Sequence, residues 1–498
     1  MPLLSSTTTT LRGDSMVASY VDERYAPVRA EVTEFDLPVR GTIPEWLDGR
    51  YLRNGPNPIA QVRPDEYNWF TGDGMVHGIR MSGGRALWYR NRWVDSEVTS
   101  RALHRSAPPE HGRSPLHGPS ANTNVIGFAG RTLALVEAGV ACAELSYDLD
   151  TVDVCDFDGT VRGGYTAHPI EEPGTGELHA VSYHFGRGDT VLYTVIGPDG
   201  RLRRKLPIRV GGSPMMHAFS LTPDFVVIYD LPVTFDVRSA VTANVARPLR
   251  PFAALALSAT IGRARLPRPV LNRVPATRAG SFPYRWDHRY PPRVGLVPRR
   301  GDPTPMWLDV EPCYVFHPVN ATSEGGKVVV DLVVHERVFD ADRTGPSEGR
   351  PRLERWHLDP LVSSRVRRTR LGDENVEFPR FDERYTALLH HDCWLVVGSD
   401  DLSGEHRLVR SDRAHGIQAM RDFGPRSAVG EFVFHPEAPD SPEGHGVVMG
   451  LVTNLAENST ELRILDARTL EDQASIALPR RVPAGFHGNW VPDAAATL

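Results

Sequence analysis

Four histidines are the residues of this sequence with the greatest potential for metal chemistry. They are His168, His217, His317 and His487, and each lies in a stretch that reads as buried strand or tight turn. A buried imidazole must be satisfied by hydrogen bonds or bind something, and four neutral imidazoles at one point would form a cage for a transition metal. The intervals are 49 (168 to 217), 100 (217 to 317) and 170 (317 to 487) residues. Such spacing is unlike a local motif with two ligands on one helical turn, so the fold must gather them.

Three glutamates in apolar stretches offer support for such a cage. Glu137 ends one apolar run, and Glu377 and Glu431 each precede a phenylalanine. A carboxylate in apolar surroundings is costly unless it is paired. The second N–H of a metal-bound imidazole needs an acceptor, which a buried glutamate supplies. Pairing with arginine is the competing interpretation for each glutamate, just as a structural role is for any one of the 19 histidines.

Short β-rich runs separated by turn residues predict an all-β fold. Residues 189–210 read as two strands joined by Pro-Asp-Gly, and 44 glycines and 42 prolines suit many tight turns. A strand that ends in aspartate and a turn recurs at Asp150, Asp359 and Asp466. Recurrence of one strand-turn unit favours radial repetition of small sheets, which is a β-propeller, over a sandwich or barrel. The number of blades does not follow from this pattern.

The chain of 498 residues is interpreted as one domain with a tail and an insertion. Residues 1–25 read as a disordered N-terminal tail and lead-in, because their Ser/Thr-rich start lacks the basic and apolar regions of a secretory signal. Residues 26–498 form the propeller domain, with an apolar insertion around 237–271. Within it, residues 251–261 are helix-prone and have arginines on both sides. Basic ends suit a membrane interface, and packing on the propeller face or a dimer contact would also explain the segment.

Composition excludes several classes of function. A net charge of -6 argues against a nucleic-acid binder. Two lysines, Lys205 and Lys327, leave little room for Schiff-base chemistry. Four isolated cysteines predict reduced thiols in a cytoplasmic protein. No run approaches the roughly 18 apolar residues that a membrane span needs.

Several motifs are more specific than composition. Gly-Thr-Ile-Pro occupies residues 41–44, Tyr-Leu-Arg-Asn-Gly-Pro-Asn-Pro residues 51–58, Trp-Phe-Thr-Gly-Asp-Gly-Met-Val-His residues 69–77, and Phe-His-Gly residues 486–488. With these motifs in this order, the chain resembles the carotenoid cleavage oxygenases, non-haem iron enzymes that split polyene double bonds. The resemblance covers nearly the whole chain beyond the tail.

The resemblance implies a seven-bladed β-propeller, with a helical and loop cap over its metal-bearing face and one Fe(II) per chain on its axis. By matching positions, the iron ligands are His168, His217, His317 and His487. The supporting glutamates are Glu137, Glu377 and Glu431, which leaves His168 without a carboxylate partner. Thr123 matches a position beside the iron where a methyl group blocks one coordination site, and Phe70 matches an aromatic residue of the substrate tunnel.

The implied reaction is oxidative cleavage of a carotenoid or apocarotenoid double bond by O2 to give two carbonyl products. Relatives that cleave stilbenes place a lysine where this chain has Val136, which weakens a stilbene-cleaving function and favours an apolar polyene. Two further functions are weighed against cleavage: that of a retinoid isomerohydrolase and that of a non-catalytic propeller scaffold. The expected location is the cytoplasm, and contact through residues 251–261 would place the enzyme at the inner membrane surface.

Overall fold

The computed structural model describes residues 20–65, 67–106, 116, 120–161, 164–271, 282–324, 327–346, 348–398 and 405–493. Most of the predicted tail, residues 1–19, lies outside the described residues. Residues 20–25 are described and pack against the body of the protein, where Tyr20 is buried beside Trp69.

Short antiparallel strands make up most of the described residues. The first half contains β1 (Val32–Phe35), β2 (Val39–Gly41), β3 (Gly49–Pro56), β4 (Gly74–Ser82), β5 (Arg85–Trp93), β6 (Asn124–Phe128), β7 (Arg131–Leu135), β8 (Cys142–Leu145), β9 (Thr151–Cys155), β10 (Ile170–Glu172), β11 (Glu177–Ser182), β12 (Thr190–Ile196), β13 (Leu202–Arg209), β14 (Phe219–Leu221), β15 (Phe225–Asp230) and β16 (Val233–Phe235). The second half contains β17 (Tyr284–Trp286), β18 (Arg293–Pro298), β19 (Met306–Asp309), β20 (Pro318–Glu324), β21 (Lys327–Val334), β22 (Arg352–Leu358), β23 (Arg367–Arg370), β24 (Val376–Phe381), β25 (Asp392–Gly398), β26 (Glu405–Asp412), β27 (Gly416–Asp422), β28 (Ser427–Pro436), β29 (Gly446–Asn454), β30 (Ser459–Asp466), β31 (Asp472–Ala477) and β32 (Gly488–Pro492).

All of these strands except β16 and β17, which pair with each other, form seven blades of four or five strands, so the expected seven-bladed propeller is confirmed. Blade 1 has the order β1-β5-β4-β3-β32, blade 2 is β6 to β9, blade 3 is β10 to β13, and blade 4 is β14-β15-β18-β19. Blade 5 is β20 to β23, blade 6 is β24 to β27, and blade 7 has the order β2-β31-β30-β29-β28. The chain ends close the ring, because β32 pairs with β3 in blade 1 and β2 pairs with β31 in blade 7.

Burial along the strands follows from the stacking of blades. Strand β21 lies inside blade 5 and is buried from Val328 to Val334, as expected for a strand covered on both faces. The outer strand β13 alternates between exposed and half-buried positions because one of its faces meets solvent. Trp356 and Trp394 are fully buried between blades. Hydrophobic burial between neighbouring blades therefore holds the innermost strands around the axis.

The described helices are few and short. They are α1 (Glu97–Ala102), α2 (Val237–Asn244), α3 (Arg250–Thr260) and α4 (Arg268–Leu271), with 3-10 helices at Glu23–Tyr25, Trp69–Thr71, Phe185–Arg187, Arg247–Leu249 and Glu383–Tyr385. Asp236 caps α2 by accepting hydrogen bonds from two backbone N–H groups. Across the described part of the chain, each helix is too short or too polar to traverse a lipid bilayer.

Helices α2 to α4 lie between β16 and β17, within the predicted apolar insertion, and this whole segment interrupts blade 4 between β15 and β18. Strand β16 is hydrogen-bonded to the segment that precedes His217. The N–H of Met215 donates to the carbonyl of Val233, and the N–H of Phe235 donates to the carbonyl of Ser213. The β16–β17 pair and the helices between its strands are therefore attached to the end of the propeller where His217 lies.

Candidate metal centre

Each of the four candidate histidines lies one or two residues before the innermost strand of a blade. His168 precedes β10, His217 precedes β14, His317 precedes β20 and His487 precedes β32. Innermost strands surround the propeller axis, so residues at the same end of these strands meet there. One nitrogen atom from each of the four rings lies within 4.8 Å of the others, and the centroids of neighbouring rings are 4.3 to 5.4 Å apart.

The polar atoms of this cluster fit a metal. Nε2 of His168 and Nε2 of His317 are buried and lack a hydrogen-bond partner within the described chain. Burial and the three neighbouring imidazoles lower the pKa of His168 well below its ordinary value. The ring is therefore neutral and offers a lone pair to the space between the rings, as a metal ligand must. A buried nitrogen without a partner is costly, and a bound cation would satisfy it.

Three glutamates hold three of the rings through Nδ1. The distance between Nδ1 of His217 and Oε1 of Glu137 is 3.0 Å. Nδ1 of His317 lies 2.6 Å from Oε2 of Glu377, and Nδ1 of His487 lies 3.0 Å from Oε1 of Glu431; these residues are the ones predicted to pair. Each Nδ1–H donates to its carboxylate, so each Nε2 carries the lone pair. No carboxylate of the described chain forms such a pair with His168.

Two of these glutamates lie at irregularities in innermost strands. The register of β24 shifts between Glu377 and Arg380, and that of β28 shifts between Val429 and Phe432, beside Glu431. A β-bulge redirects a side chain that regular alternation would point elsewhere. Blades 6 and 7 therefore supply carboxylates to the centre from within strands, whereas four other blades supply imidazoles from the residues before a strand.

The three carboxylates have different second partners. Glu431 lies 3.4 Å from a guanidinium nitrogen of Arg380 and accepts the backbone N–H of Gly488 at 2.9 Å. Burial would raise the pKa of the Glu431 carboxyl, but Arg380 and His487 outweigh burial and lower that pKa to about 2. Beside Glu137 lies the Tyr183 phenol, whose pKa is raised well above its ordinary value by burial and by the charge of Glu137.

The second partner of Glu377 is His335, a residue that the sequence did not single out. Nε2 of His335 lies 2.6 Å from Oε1 of Glu377, and the ring of His335 is 2% exposed. Burial works against ionisation of Glu377, but His317 and His335 hold the pKa of its carboxyl well below the usual range. His335 directly follows the apolar run of β21, which was the available sequence signal for a buried histidine.

Thr123 occupies the position in blade 2 that the histidines occupy in their blades, one residue before β6. Its hydroxyl donates to Oδ1 of Asn122 at 2.8 Å, and its carbonyl accepts the N–H of His487 at 3.1 Å. Val136 lies elsewhere: it packs in the buried cluster of blade 2, where its N–H and carbonyl contact Sγ of Cys142. Val136 is not among the described residues that line the cavity next to the histidines.

A cavity of about 1430 Å³ opens from the histidine cluster toward the surface. Its inner walls include His217, His317 and His487 together with Thr123. Phe70 lies on the wall and packs against four other phenylalanine rings at centroid distances of 5.3 to 6.0 Å: Phe282, Phe316, Phe339 and Phe486. The volume is large for a small-molecule site, and the aromatic wall suits an extended apolar ligand.

Comparison with known proteins identifies the family. The family model described as "Retinal pigment epithelial membrane protein" matches residues 25–492. A carotenoid cleavage oxygenase of Mycobacterium tuberculosis is 48% identical over 490 residues, which cover 95% of this chain and 97% of the relative. This chain belongs to the carotenoid cleavage oxygenase family. The resemblance seen in the sequence motifs is thereby confirmed, and the chain is an enzyme of the oxidoreductase class.

More distant members of the family agree with this assignment. A carotenoid 9,10(9',10')-cleavage dioxygenase of Crocus sativus is 27% identical over 530 residues, 95% of this chain and 89% of the relative. The crystal structure of the Pseudomonas brassicacearum lignostilbene dioxygenase superposes with a TM-score of 0.79 at 25% identity, over 96% of this chain and 99% of that one. The family thus includes proteins named for carotenoid cleavage and for stilbene cleavage.

Proposed function

We propose that this oxygenase uses one Fe(II) and O2 to cleave a carbon–carbon double bond of a carotenoid or apocarotenoid. Each carbon of the broken bond takes one oxygen atom, so the products are two carbonyl compounds. The observation that carries the proposal is the convergence of four imidazole nitrogens within 4.8 Å at the inner end of a cavity with an aromatic wall. The proposed ligands are His168, His217, His317 and His487.

The donor set supports iron. Four neutral imidazoles leave the full charge of a divalent ion uncompensated by its direct ligands, unlike a site with two histidines and a carboxylate. Bound Fe(II) would supply the one-electron chemistry that the reaction of O2 with a closed-shell polyene requires. Glu137, Glu377 and Glu431 fix the tautomers of three imidazoles and make them more basic.

Thr123 is proposed to restrict the space beside the ion. Its hydroxyl is engaged by Asn122, and Nδ2 of Asn122 is itself fixed by the carbonyls of Phe70 and Gly72 at 3.0 and 2.7 Å. Because the hydroxyl is held by Asn122, the methyl group is the branch of the Thr123 side chain that makes no hydrogen bond. A methyl group offers no ligand atom, so it would close one of the two coordination positions that four histidines leave and would keep the other for O2.

The cavity supports a long apolar substrate. Phe70, Phe316 and Phe486 line the cavity and offer aromatic faces on which a conjugated chain can lie, and Phe282 and Phe339 support Phe70 from behind. Holding one double bond beside the ion makes the reaction effectively unimolecular. Selection among double bonds would then follow from how far the chain enters the cavity.

Stilbene cleavage is the second candidate, favoured by the structural likeness to the lignostilbene dioxygenase. Phenolic stilbenes need a polar group at the ring hydroxyl. Val136, the residue predicted to differ from stilbene-cleaving relatives, is buried against Cys142 outside the cavity lining and does not bear on this choice. The described wall next to the histidines presents the rings of Phe70, Phe316 and Phe486, which suit an apolar chain better than a phenol. The polyene is therefore the preferred substrate.

We also propose that α3 contacts a membrane surface, from which a lipid-dissolved substrate is drawn. Phe252 and Leu255 are each 74% exposed, and they lie three residues apart on one side of the helix. Arg247 and Arg265 are exposed near its two ends. Exposed apolar side chains between basic residues match the lipid interface, where arginine meets phosphate.

Metal content and product analysis test the main proposal. Purified protein should contain about one iron per chain and should convert an apocarotenal under O2 into two carbonyl fragments identified by mass. His217→Ala and His487→Ala should lose the iron, whereas His179→Ala should keep it, because His179 is a buried histidine of blade 3 that pairs with Tyr193.

A folded protein without metal would favour a binding scaffold. Cleavage of resveratrol-type stilbenes alone would favour the second candidate, and hydrolytic isomerisation without O2 uptake would favour an isomerohydrolase.

A further inference from the structure

A buried guanidinium lines the substrate cavity without an acidic partner. Arg53 of β3 is 5% exposed and contributes to the cavity wall together with His487 and Phe486. Its Nη1 donates to the carbonyl of Pro483 at 2.7 Å. Within the described residues, no carboxylate oxygen lies within the 4.0 Å of an ion pair with Arg53, although the charge of Glu431 acts on it from farther away. A buried charge in this state is unfavourable unless something pairs with it.

The titratable side chains of blade 1 that interact with Arg53 are neutral. Burial and the positive charge of Arg53 keep the pKa of His77, its cross-strand neighbour, well below the ordinary value. Tyr51 and Tyr89 are buried phenols whose pKa values are raised by burial, so they carry no charge at neutral pH. Burial lowers the pKa of the Arg53 guanidinium to about 10, and the group remains protonated at neutral pH.

The backbone fixes the guanidinium in place. A Cβ atom added at Gly485 would lie 2.6 Å from Cζ of Arg53, so the guanidinium is packed directly against the backbone of residue 485. Gly485 lies two residues before His487, and Arg53 is the strand partner of Gly488. The segment that carries His487 therefore also holds Arg53, and the position of the cation relative to the metal centre is preorganised.

We infer that Arg53 is an anion subsite of the cavity and that it takes the carboxylate end of an acidic polyene. This inference rests on the proposed function and narrows it to substrates or products with a carboxylate at one end of the conjugated chain. A guanidinium matches a carboxylate with two parallel N–H···O bonds, and removal of the ligand charge from water is offset by this pairing. The aromatic wall around Phe70 accommodates the apolar part of the same molecule.

Binding of two C20 polyenes that differ at one end tests the inference. All-trans-retinoic acid and all-trans-retinal are titrated into iron-loaded protein without O2, and quenching of tryptophan fluorescence is followed, since Trp69 lines the cavity. We expect retinoate to bind the wild type about tenfold or more tightly than retinal. Arg53→Met should weaken retinoate binding about 10- to 100-fold and change retinal binding little, and Arg53→Lys should have an intermediate effect.

Arg50 provides a matched control three residues earlier on the same strand. It is also 5% exposed and forms no ion pair within the described chain, but it lies outside the cavity wall and donates to the carbonyl of Tyr147 and to Oγ1 of Thr132. Arg50→Met should lower the midpoint of thermal unfolding and leave the preference for retinoate unchanged. Acetate at millimolar concentration should not displace retinoate, because a free carboxylate lacks the apolar contacts.

Several results would overturn the inference. Equal affinity of the wild type for retinoate and retinal would do so even if Arg53→Met fails to fold. Parallel losses for both ligands in a folded Arg53→Met protein would make Arg53 a structural residue. Displacement by acetate would reveal a general anion site rather than a polyene subsite. Failure of the proposed function looks different: the protein would then leave neutral apocarotenals uncleaved, whatever its preference for retinoate.

Discussion

His335 and Glu377 form a hydrogen bond of 2.6 Å between Nε2 of the imidazole and Oε1 of the carboxylate. The other oxygen of Glu377 faces Nδ1 of His317, also at 2.6 Å. Glu377 therefore lies between two imidazoles and accepts an N–H from each. Nδ1 of His335 is buried with no partner in the described chain, so Glu377 is the residue that holds this ring. His335 is a positioning residue that acts on His317 through Glu377.

The first prediction concerns this chain of three side chains. His335→Leu removes the donor to Oε1 of Glu377 and leaves His317 and the backbone N–H of Phe378 as donors to Oε2, so the carboxylate and His317 are less constrained. Replacing a residue that hydrogen-bonds to a metal ligand lowers metal affinity about 10- to 100-fold. We expect about a tenfold loss for His335→Leu, because His335 acts on His317 only through Glu377. His335→Gln, whose amide can donate to the carboxylate, should recover most of the loss.

An anaerobic competition titration of Fe(II) against a chromophoric chelator measures this affinity. His179→Leu is the control, because His179 is equally buried in blade 3, pairs with Tyr193 at 2.7 Å and forms no hydrogen bond with Glu137, Glu377 or Glu431 in the described chain. It should lower thermal stability without changing iron affinity. If His335→Leu and His179→Leu retain iron equally well, the bond between His335 and Glu377 has no influence on the centre.

The second prediction is that the glutamates tolerate amidation unequally. In Glu431→Gln, one amide atom must face His487, and the other must face both the N–H of Gly488 and the guanidinium of Arg380, all of which are donors. The amide NH2 therefore opposes a donor in either orientation. In Glu377→Gln, His335 can move its proton to Nδ1 and accept the amide N–H through Nε2. Glu431→Gln should lose iron affinity about tenfold more than Glu377→Gln in the same titration. Equal losses would contradict this account.

The four histidines and three glutamates were predicted from the sequence because the resemblance to the family assigns its metal ligands and their supporting glutamates to these positions. The propeller was predicted from recurring strand-turn units, but the blade count came from the resemblance, since each blade contributes little sequence signal. His335 and Arg53 were missed for a physical reason. Their importance depends on register: the shift between Glu377 and Arg380 turns Glu377 toward two histidines, and the pairing of Arg53 with Gly488 sets the guanidinium against Gly485.

The third prediction separates the methyl group of Thr123 from its hydroxyl. Thr123→Val keeps a branched side chain and loses the donor to Asn122, whereas Thr123→Ala removes both groups. If the methyl group restricts coordination, Thr123→Ala should admit an additional water to the metal and Thr123→Val should not. In the Co(II)-substituted protein, the visible d–d bands weaken as the coordination number rises, so absorption should fall for Thr123→Ala alone. Equal spectra for all three proteins would assign Thr123 a structural role.

The fourth prediction is a loss of stability in mild acid through His390. Burial lowers the pKa of His390 from 6.5 to about 4, although Asp331 acts in the opposite direction. As pH falls, His390 therefore takes up its proton in the unfolded chain before it does so in the folded chain, which favours unfolding. The stability of the fold with neutral His390 is fully present above pH 6.5 and is lost as pH falls toward 4. When the pH is lowered from 7 to 5, His390 alone should reduce the free energy of unfolding by about 1–2 kcal/mol.

Urea denaturation at pH 7 and pH 5 measures this cost. His390→Gln should reduce the drop between the two pH values by about 1–2 kcal/mol relative to the wild type. His104→Gln is the control, since His104 is exposed at the surface. It should leave the drop nearly unchanged. An identical drop in the wild type and His390→Gln would mean that other groups set the acid sensitivity.

The fifth prediction concerns the exposed side of α3. Phe252→Asp and Leu255→Asp replace apolar side chains that are 74% exposed, so neither change removes a buried contact. Both place a negative charge where anionic lipid would lie. Sedimentation with vesicles that contain phosphatidylglycerol should show at least a tenfold loss of binding for each variant, because each loses about 1.5–3 kcal/mol of apolar burial and gains repulsion. Leu361→Asp is the control: Leu361 is 91% exposed in the turn between β22 and β23, far from α3 in sequence. If the wild type binds vesicles weakly, or if Leu361→Asp reduces binding as much as the α3 variants do, α3 is not the membrane contact. If either α3 variant converts a dimer to a monomer, the exposed side of α3 contacts a second copy of the chain.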